Sequence, residues 1–186
     1  LQRVEFEGNV ALDGVDWNGS VVAGYSNSSS SIVSVDARFD TVGGRFLAGN
    51  SRANRIYAGS GGASLWGGTG SANGTVTGWN NLYGGAGSDT FIIGMGNGRN
   101  AVQDCGDEDT VYLYNINVED ISYTYLSEGS ISNNLVIVPY DDTSYININY
   151  NTDTTITRVR FADGVTRTFD HTNGDWRELF VDTATG

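Results

Sequence analysis

Lysine is absent from the 186 residues, and there is one proline, one cysteine, one methionine and one histidine. Each scarcity removes a class of protein. A lone cysteine, Cys105, excludes an internal disulfide framework. A lone histidine, His171, excludes the two-histidine helix of a zinc hydrolase, and no G-x-S-x-G elbow replaces it. His171 beside Asp170 reads as a solvated pair rather than a catalytic one, and Cys105 has no histidine near it in sequence. All ten basic residues are arginine against 22 acids, a net charge of −12, which argues against nucleic acid and anionic membrane as partners. No apolar run is long enough for a membrane-spanning helix. The chain opens on Leu1 without a signal-peptide pattern, so a processed or excised start is expected.

The acids are unevenly spread. Six acids and five arginines lie up to Ser88, and sixteen acids and five arginines follow it. Between Thr41 and Ser88 there is no acid at all. That interval holds most of the glycine-rich stretch: 17 of the 26 glycines fall between Gly43 and Gly98. Through it runs an apolar beat, Leu47, Ile56, Leu65, Leu82, Phe91, Val102 and Val111, with steps of 9, 9, 17, 9, 11 and 9 residues. The 17-residue step reads as two nines with a degenerate repeat near Gly74. A nine-residue unit cannot bury its apolar side alone, so the units are expected to stack around a shared core. If successive units lie on alternating faces, two make one coil. The residues after each beat then point outward: Tyr57, Trp66, Tyr83 and Ile92.

Gly84-Gly85-Ala86-Gly87-Ser88-Asp89-Thr90-Phe91-Ile92 matches G-G-x-G-x-D-x-U-x, and in this the chain resembles the RTX (repeats-in-toxin) proteins with their calcium-binding parallel β-roll. The resemblance spans roughly residues 45 to 170. It implies an all-β chain: a parallel β-roll or solenoid of degenerate nonapeptides over 46–111 and an antiparallel β-rich cap over 112–186; the short β-like patches of residues 1–45 read as an irregular β cap or solenoid start, or as an ordinary antiparallel sheet packed beside the roll. It also implies a secreted bacterial protein exported by the type I route, whose tail around Glu178-Leu179-Phe180-Val181 is a candidate secretion signal.

In such rolls calcium sits between stacked turns, held by aspartates at the sixth repeat position and by backbone carbonyls. Here those positions are Arg45, Asn54, Ala63, Ala72, Asn80, Asp89, Asn100 and Asp109, of which only two are aspartate. The first coils are therefore expected to be free of calcium, with Asn54, Asn80 and Asn100 closing their turns through amide hydrogen bonds. One calcium ion is expected between the turns carrying Asp89 and Asp109, with Gly85, Gly87 and Asp107 as further donors. Asp104 and Cys105 stand where the family has glycine.

After Val111 the period becomes strict alternation. Strands are expected at 111–114, 121–125, 135–138, 145–150, 155–161 and 166–169, with Asp163-Gly164 as a hairpin turn. The function expected is a non-enzymatic structural and calcium-binding module that aids export and extracellular folding, or part of an adhesin or surface fibre. The alternative is a polysaccharide-binding module resembling those of alginate epimerases, using Trp66 and Tyr83, expected on one face, and the tyrosine-rich later strands; the competing reading is that these rings pack on neighbouring coils or on residues 1–45. The pair Asp141-Asp142 offers carboxylates for sugar chemistry, but neighbours in a turn more often point apart.

Overall fold

A computed structural model describes residues 21–23, 32–49, 53–68, 78–128, 133–141, 144–150 and 156–170. The expected repeat near Gly74, Ala72, Asp142, His171, the tail from 171 and most of residues 1–31 lie outside these. The described chain is all-β: its one helical element is a 3-10 turn, Val118–Asp120. Fourteen strands follow in order: β1 (Val21–Ala23), β2 (Ile32–Asp36), β3 (Arg45–Ala48), β4 (Ala53–Tyr57), β5 (Ala63–Trp66), β6 (Trp79–Tyr83), β7 (Thr90–Ile93), β8 (Arg99–Cys105), β9 (Thr110–Leu113), β10 (Ile121–Glu128), β11 (Asn133–Pro139), β12 (Tyr145–Tyr150), β13 (Ile156–Phe161) and β14 (Thr166–Asp170).

They form two seven-stranded sheets, in the orders β1-β3-β5-β7-β9-β13-β14 and β10-β11-β12-β8-β6-β4-β2. Up to β9, consecutive strands go to opposite sheets, and each pairs in parallel with the strand two along. The apolar beat drives this arrangement, because both sheets turn their beat residues to the space between them. All seven beat residues are fully buried, and they join one core with Val35, Ile93, Leu113, Ile137, Ile148 and Phe161. Full burial of a side chain of this size stabilises by roughly 1.5–3 kcal/mol.

The 17-residue step does not add a strand to either ladder. The described ladders run on across it, since β4 pairs directly with β6 and β5 with β7. Two steps would also have put Leu82 on the sheet of Leu65, and it lies on the other. The step from Leu65 to Leu82 therefore counts as one.

The later strands match the expected alternation closely but do not build a sheet of their own. β12 pairs in parallel with β8, and β13 with β9. From these, β11 and β10, and β14, extend the same two sheets in antiparallel fashion. The β13–β14 turn is the Asp163-Gly164 hairpin, with Gly164 at φ +85° and its N–H donated to the Phe161 carbonyl at 3.1 Å. Asp141 is a brace: its carboxylate accepts the Ser144 N–H at 3.0 Å and hydroxyl at 2.6 Å. Ser144 Oγ in turn accepts the Gly96 N–H at 3.0 Å, tying the residues before β12 to the β7–β8 turn.

The strand ends gather on two sides. One carries the turns 37–44, 58–62, 84–89 and 106–109; the other carries the starts of β4, β6 and β8. On the second side Asn54, Asn80 and Asn100 stand in register, each at most 2% exposed. Asn80 Oδ1 accepts the Asn54 N–H at 3.0 Å and its Nδ2 at 2.9 Å, and Asn80 Nδ2 donates to Asn100 Oδ1 at 3.1 Å. Asn54 Nδ2 also donates to the Gly67 carbonyl at 2.7 Å, and Asn100 Nδ2 to that of Gly98 at 3.2 Å. The expected amide bonds are there, and they run between coils as well as within turns. Gly49 and Gly67 must be glycine for this: a Cβ on either would stand 2.6–2.7 Å from the asparagine side chain packed against it.

Asn80→Ala should strand the buried Asn54 N–H and the Asn100 carbonyl oxygen, each worth about 1–3 kcal/mol. We expect a loss of about 2–4 kcal/mol by urea denaturation, against under about 0.5 kcal/mol for Asn81→Ala on the outer face.

Candidate functional site

On the first side the column of register partners is Arg45, Ala63, Asp89 and Asp109, followed by Thr157 on β13. Asp89 and Asp109 are brought together as the repeat spacing implies. Thr90 pairs with Thr110, the Thr110 N–H donates to the Asp89 carbonyl at 2.9 Å, and the two surplus residues of the 11-residue step are absorbed in the turn 94–98 on the opposite side.

Both carboxylates point inward, each with 1% of its surface exposed. They act first as hydrogen-bond acceptors between coils. Asp89 Oδ1 accepts the Ala63 N–H at 2.7 Å, and Asp109 Oδ1 accepts the Asp89 N–H at 2.8 Å. The second oxygen of Asp109 accepts the Gly106 N–H at 2.8 Å. The second oxygen of Asp89 is buried and has no hydrogen-bond partner. Gly84 borders it: a Cβ there would stand 2.9 Å from that oxygen and 2.9 Å from the Phe91 ring.

A buried oxygen without a donor is costly when charged. Burial pushes the Asp89 carboxyl up to about 7, with the negative charges of Asp109 and Asp104 adding to the rise and the Ala63 N–H opposing it. Asp109 is also raised, by burial first, although the Gly106 and Asp89 N–H groups pull it down. Burial likewise raises the Cys105 thiol, so this buried cysteine stays protonated and unreactive.

The other expected donors are placed differently. Gly85 and Gly87, at φ +80° and +104°, pack on the preceding turn: a Cβ on Gly85 would meet the Gly59 carbonyl at 3.1 Å, and one on Gly87 the Gly62 nitrogen at 2.9 Å. Asp107 is exposed, and its carbonyl faces Arg158 Nη1 at 3.5 Å, which also lies 3.5 Å from the Asp109 carbonyl. Asp104, near the end of β8, has φ +61° and is the one non-glycine residue in the left-handed region among those described. A register shift between β12 and β8 marks the same place. Among the described residues no group of three or more Asp, Glu, His or Cys converges on one point. Two carboxylates and one spare hard oxygen suit an oxygen-loving cation only with carbonyls and water completing its shell.

Trp66 and Tyr83 do not share a face. Trp66 lies on β5 in register with Ile92, whereas Tyr83 lies on β6 in the other sheet. The strands alternate between sheets, so residues one beat apart always part company. Tyr83 stacks instead on Tyr57, ring centroids 4.4 Å apart and 14° from parallel. The Arg38 guanidinium covers Tyr57 at 4.9 Å, Arg99 lies over Trp79 at 5.9 Å, and Arg160 over Tyr112 at 4.8 Å. These outer rings are thus roofed by arginines, an arrangement lysine serves less well because the planar guanidinium stacks. What sequence reasoning missed on this side is Arg45, which pairs with Asp40; its signal was an arginine at an aspartate position with an acid five residues before it.

No protein-family model matches this chain, and no curated protein matches it significantly in sequence.

Without metal, Asp89 makes stability depend on pH. Its folded value lies above the unfolded value of about 3.9, so between roughly pH 4 and pH 7 the folded chain binds more protons. Stability should fall as pH rises through that window and level off above it, each tenfold difference in proton affinity between the two states contributing about 1.4 kcal/mol. In chelating buffer the urea midpoint should be lower at pH 8 than at pH 5. Asp89→Asn should flatten most of the slope; an unchanged slope would exclude Asp89 as its source.

Proposed function

We propose that this chain is a non-catalytic structural module of the RTX-like β-roll kind, part of a secreted or cell-surface bacterial protein, whose last glycine-rich turns take up one calcium ion. The observation that carries this reading is Asp89: a buried carboxylate in the G-G-x-G-x-D turn, stacked on Asp109 one coil away, with one oxygen that no donor satisfies. A cation beside that oxygen relieves the two costs identified there, the missing partner and the repulsion between the acids. The alternation of parallel strands between two sheets supports the roll architecture.

The same geometry limits what calcium does. The asparagine column holds the opposite side with neutral amides, and Ala63 and Arg45 stand where the first coils would need aspartate. Calcium therefore adds stability to a chain that already folds. At a hundredfold excess over its dissociation constant, one ion contributes about 2.7 kcal/mol. A strongly acidic chain repels itself where calcium is scarce, and outside the cell the ion favours the folded form alone; this is the logic of export before folding. A glycan platform built on Trp66 and Tyr83 has no support in the placement of those rings.

Calorimetric titration with calcium should give about one equivalent for the native chain and none for Asp89→Ala. Equal binding by both chains, or binding by neither, would remove the calcium reading.

A further inference from the structure

Among the described residues the column that holds Asp89 and Asp109 begins with Arg45, and the turn in front of Arg45 supplies the acid that the column position itself lacks. Arg45 Nε donates to Asp40 Oδ2, with 13% of the arginine side chain and 11% of the aspartate side chain exposed. The second Asp40 oxygen accepts the Val42 N–H at 2.9 Å, and the Asp40 carbonyl accepts the Ser60 N–H at 3.0 Å from the next turn. The Gly44 N–H reaches the Gly62 carbonyl at 3.0 Å. The two turns therefore lie backbone on backbone. Asp40, Val42 and Arg45 line one wall of the crevice between them, and Gly59, Gly61 and Gly62 the other.

This crevice is the counterpart, two turns earlier on the same side, of the place where Asp89 meets Asp109. It has a carboxylate and glycine-turn backbone, as that place does, with the Asp40 and Arg45 side chains largely covered. The difference is that a positive charge is already covalently present. We propose that Arg45 is the resident cation of the first turn pair, standing where a metal ion would otherwise be needed, and that withdrawing it converts the crevice into a calcium site. The proposal deepens the calcium reading above and borrows from it only the identity of the ion. It assigns Arg45 a positioning role, holding Asp40 and the turn 37–44 against the turn 58–62.

The chemistry favours the exchange. Asp40 is a hard oxygen donor whose carboxylate faces the crevice, and Arg45→Ala leaves the carboxylate there while removing the guanidinium and its bulk. Calcium accepts carboxylates, backbone carbonyls and water with loose geometry at about 2.3–2.6 Å.

The test uses the full chain in an Asp89→Asn background, so that the Asp89 site contributes nothing. Melting temperature is read at about pH 7.5 in chelator and in millimolar calcium, with magnesium at the same ionic strength as control. Asp89→Asn alone should show no calcium-specific shift. Asp89→Asn with Arg45→Ala should melt lower in chelator and recover several degrees in calcium. Adding Asp40→Asn should abolish the recovery. If the Arg45→Ala chain gains no more from calcium than Asp89→Asn alone, the proposal is wrong. Should Arg45→Ala not fold with or without calcium, Arg45→Gln, which keeps a donor for Asp40 and loses the charge, is compared in the same way and decides. Failure of the native chain to bind calcium would end the Asp89 reading and leave this comparison intact; a native response with no gain from Arg45→Ala would do the reverse.

Discussion

Two stacked ladders of parallel strands impose one constraint on everything between them: an N–H at or beside the start of a strand points along the stack, and there it must meet an oxygen. The chain meets it with a side chain from the neighbouring parallel strand of the same sheet or the turn leading into it. Asn80 serves Asn54, Asp89 serves Ala63, and Asp109 serves Asp89, at 2.7 to 3.0 Å in each case. An oxygen-bearing side chain two residues before the buried apolar beat is therefore part of the hydrogen-bonding of the sheet, whatever else it binds. This explains why asparagine replaces aspartate at that position without loss of register. The acceptor atom is common to both residues, and the negative charge is an addition.

That addition divides the two sides of the molecule. Asparagine can donate as well as accept, so the 54–80–100 column closes on itself and ends on the Gly98 carbonyl. Aspartate accepts only when ionised. Asp109 finds two N–H donors and is satisfied; Asp89 finds one and is left with a bare buried oxygen. The positive groups at this side have correspondingly defined places. Arg45 lies at the start of the column with Asp40, and Arg158 lies over the carbonyls of Asp107 and Asp109 near its end.

Much of this was legible in the sequence, for a physical reason. The apolar beat marks the residues that touch the shared core, and burial tolerates little variation there, so all seven positions held. The later strands were equally visible, because alternation and the Asp163-Gly164 turn are local signals. What escaped were properties of pairing. The 17-residue step looked like two repeats because counting along the chain cannot distinguish one long step of the stack from two short ones; only the direct pairing of β4 with β6 and β5 with β7 does so. Trp66 and Tyr83 looked like neighbours because both follow a beat, yet alternation between sheets separates them and pairs Tyr83 with Tyr57. The Asp89–Asp109 contact was legible because two steps restore the same sheet. The lone oxygen was not, since it depends on which N–H groups the neighbouring turns have to spare.

Among the described residues, the buried carboxylates of this column are Asp89 and Asp109. From Arg45 to Ala63 the column is positive and then neutral, and opposite it the asparagine column is built of neutral amides. At Asp89 and Asp109 the column carries buried negative charge, and Asp104 and Glu108 add to it from nearby. A proton on Asp89 or a cation beside it would relieve the same strain, because both remove net negative charge from one unsatisfied oxygen. The two are thus alternatives at a single place.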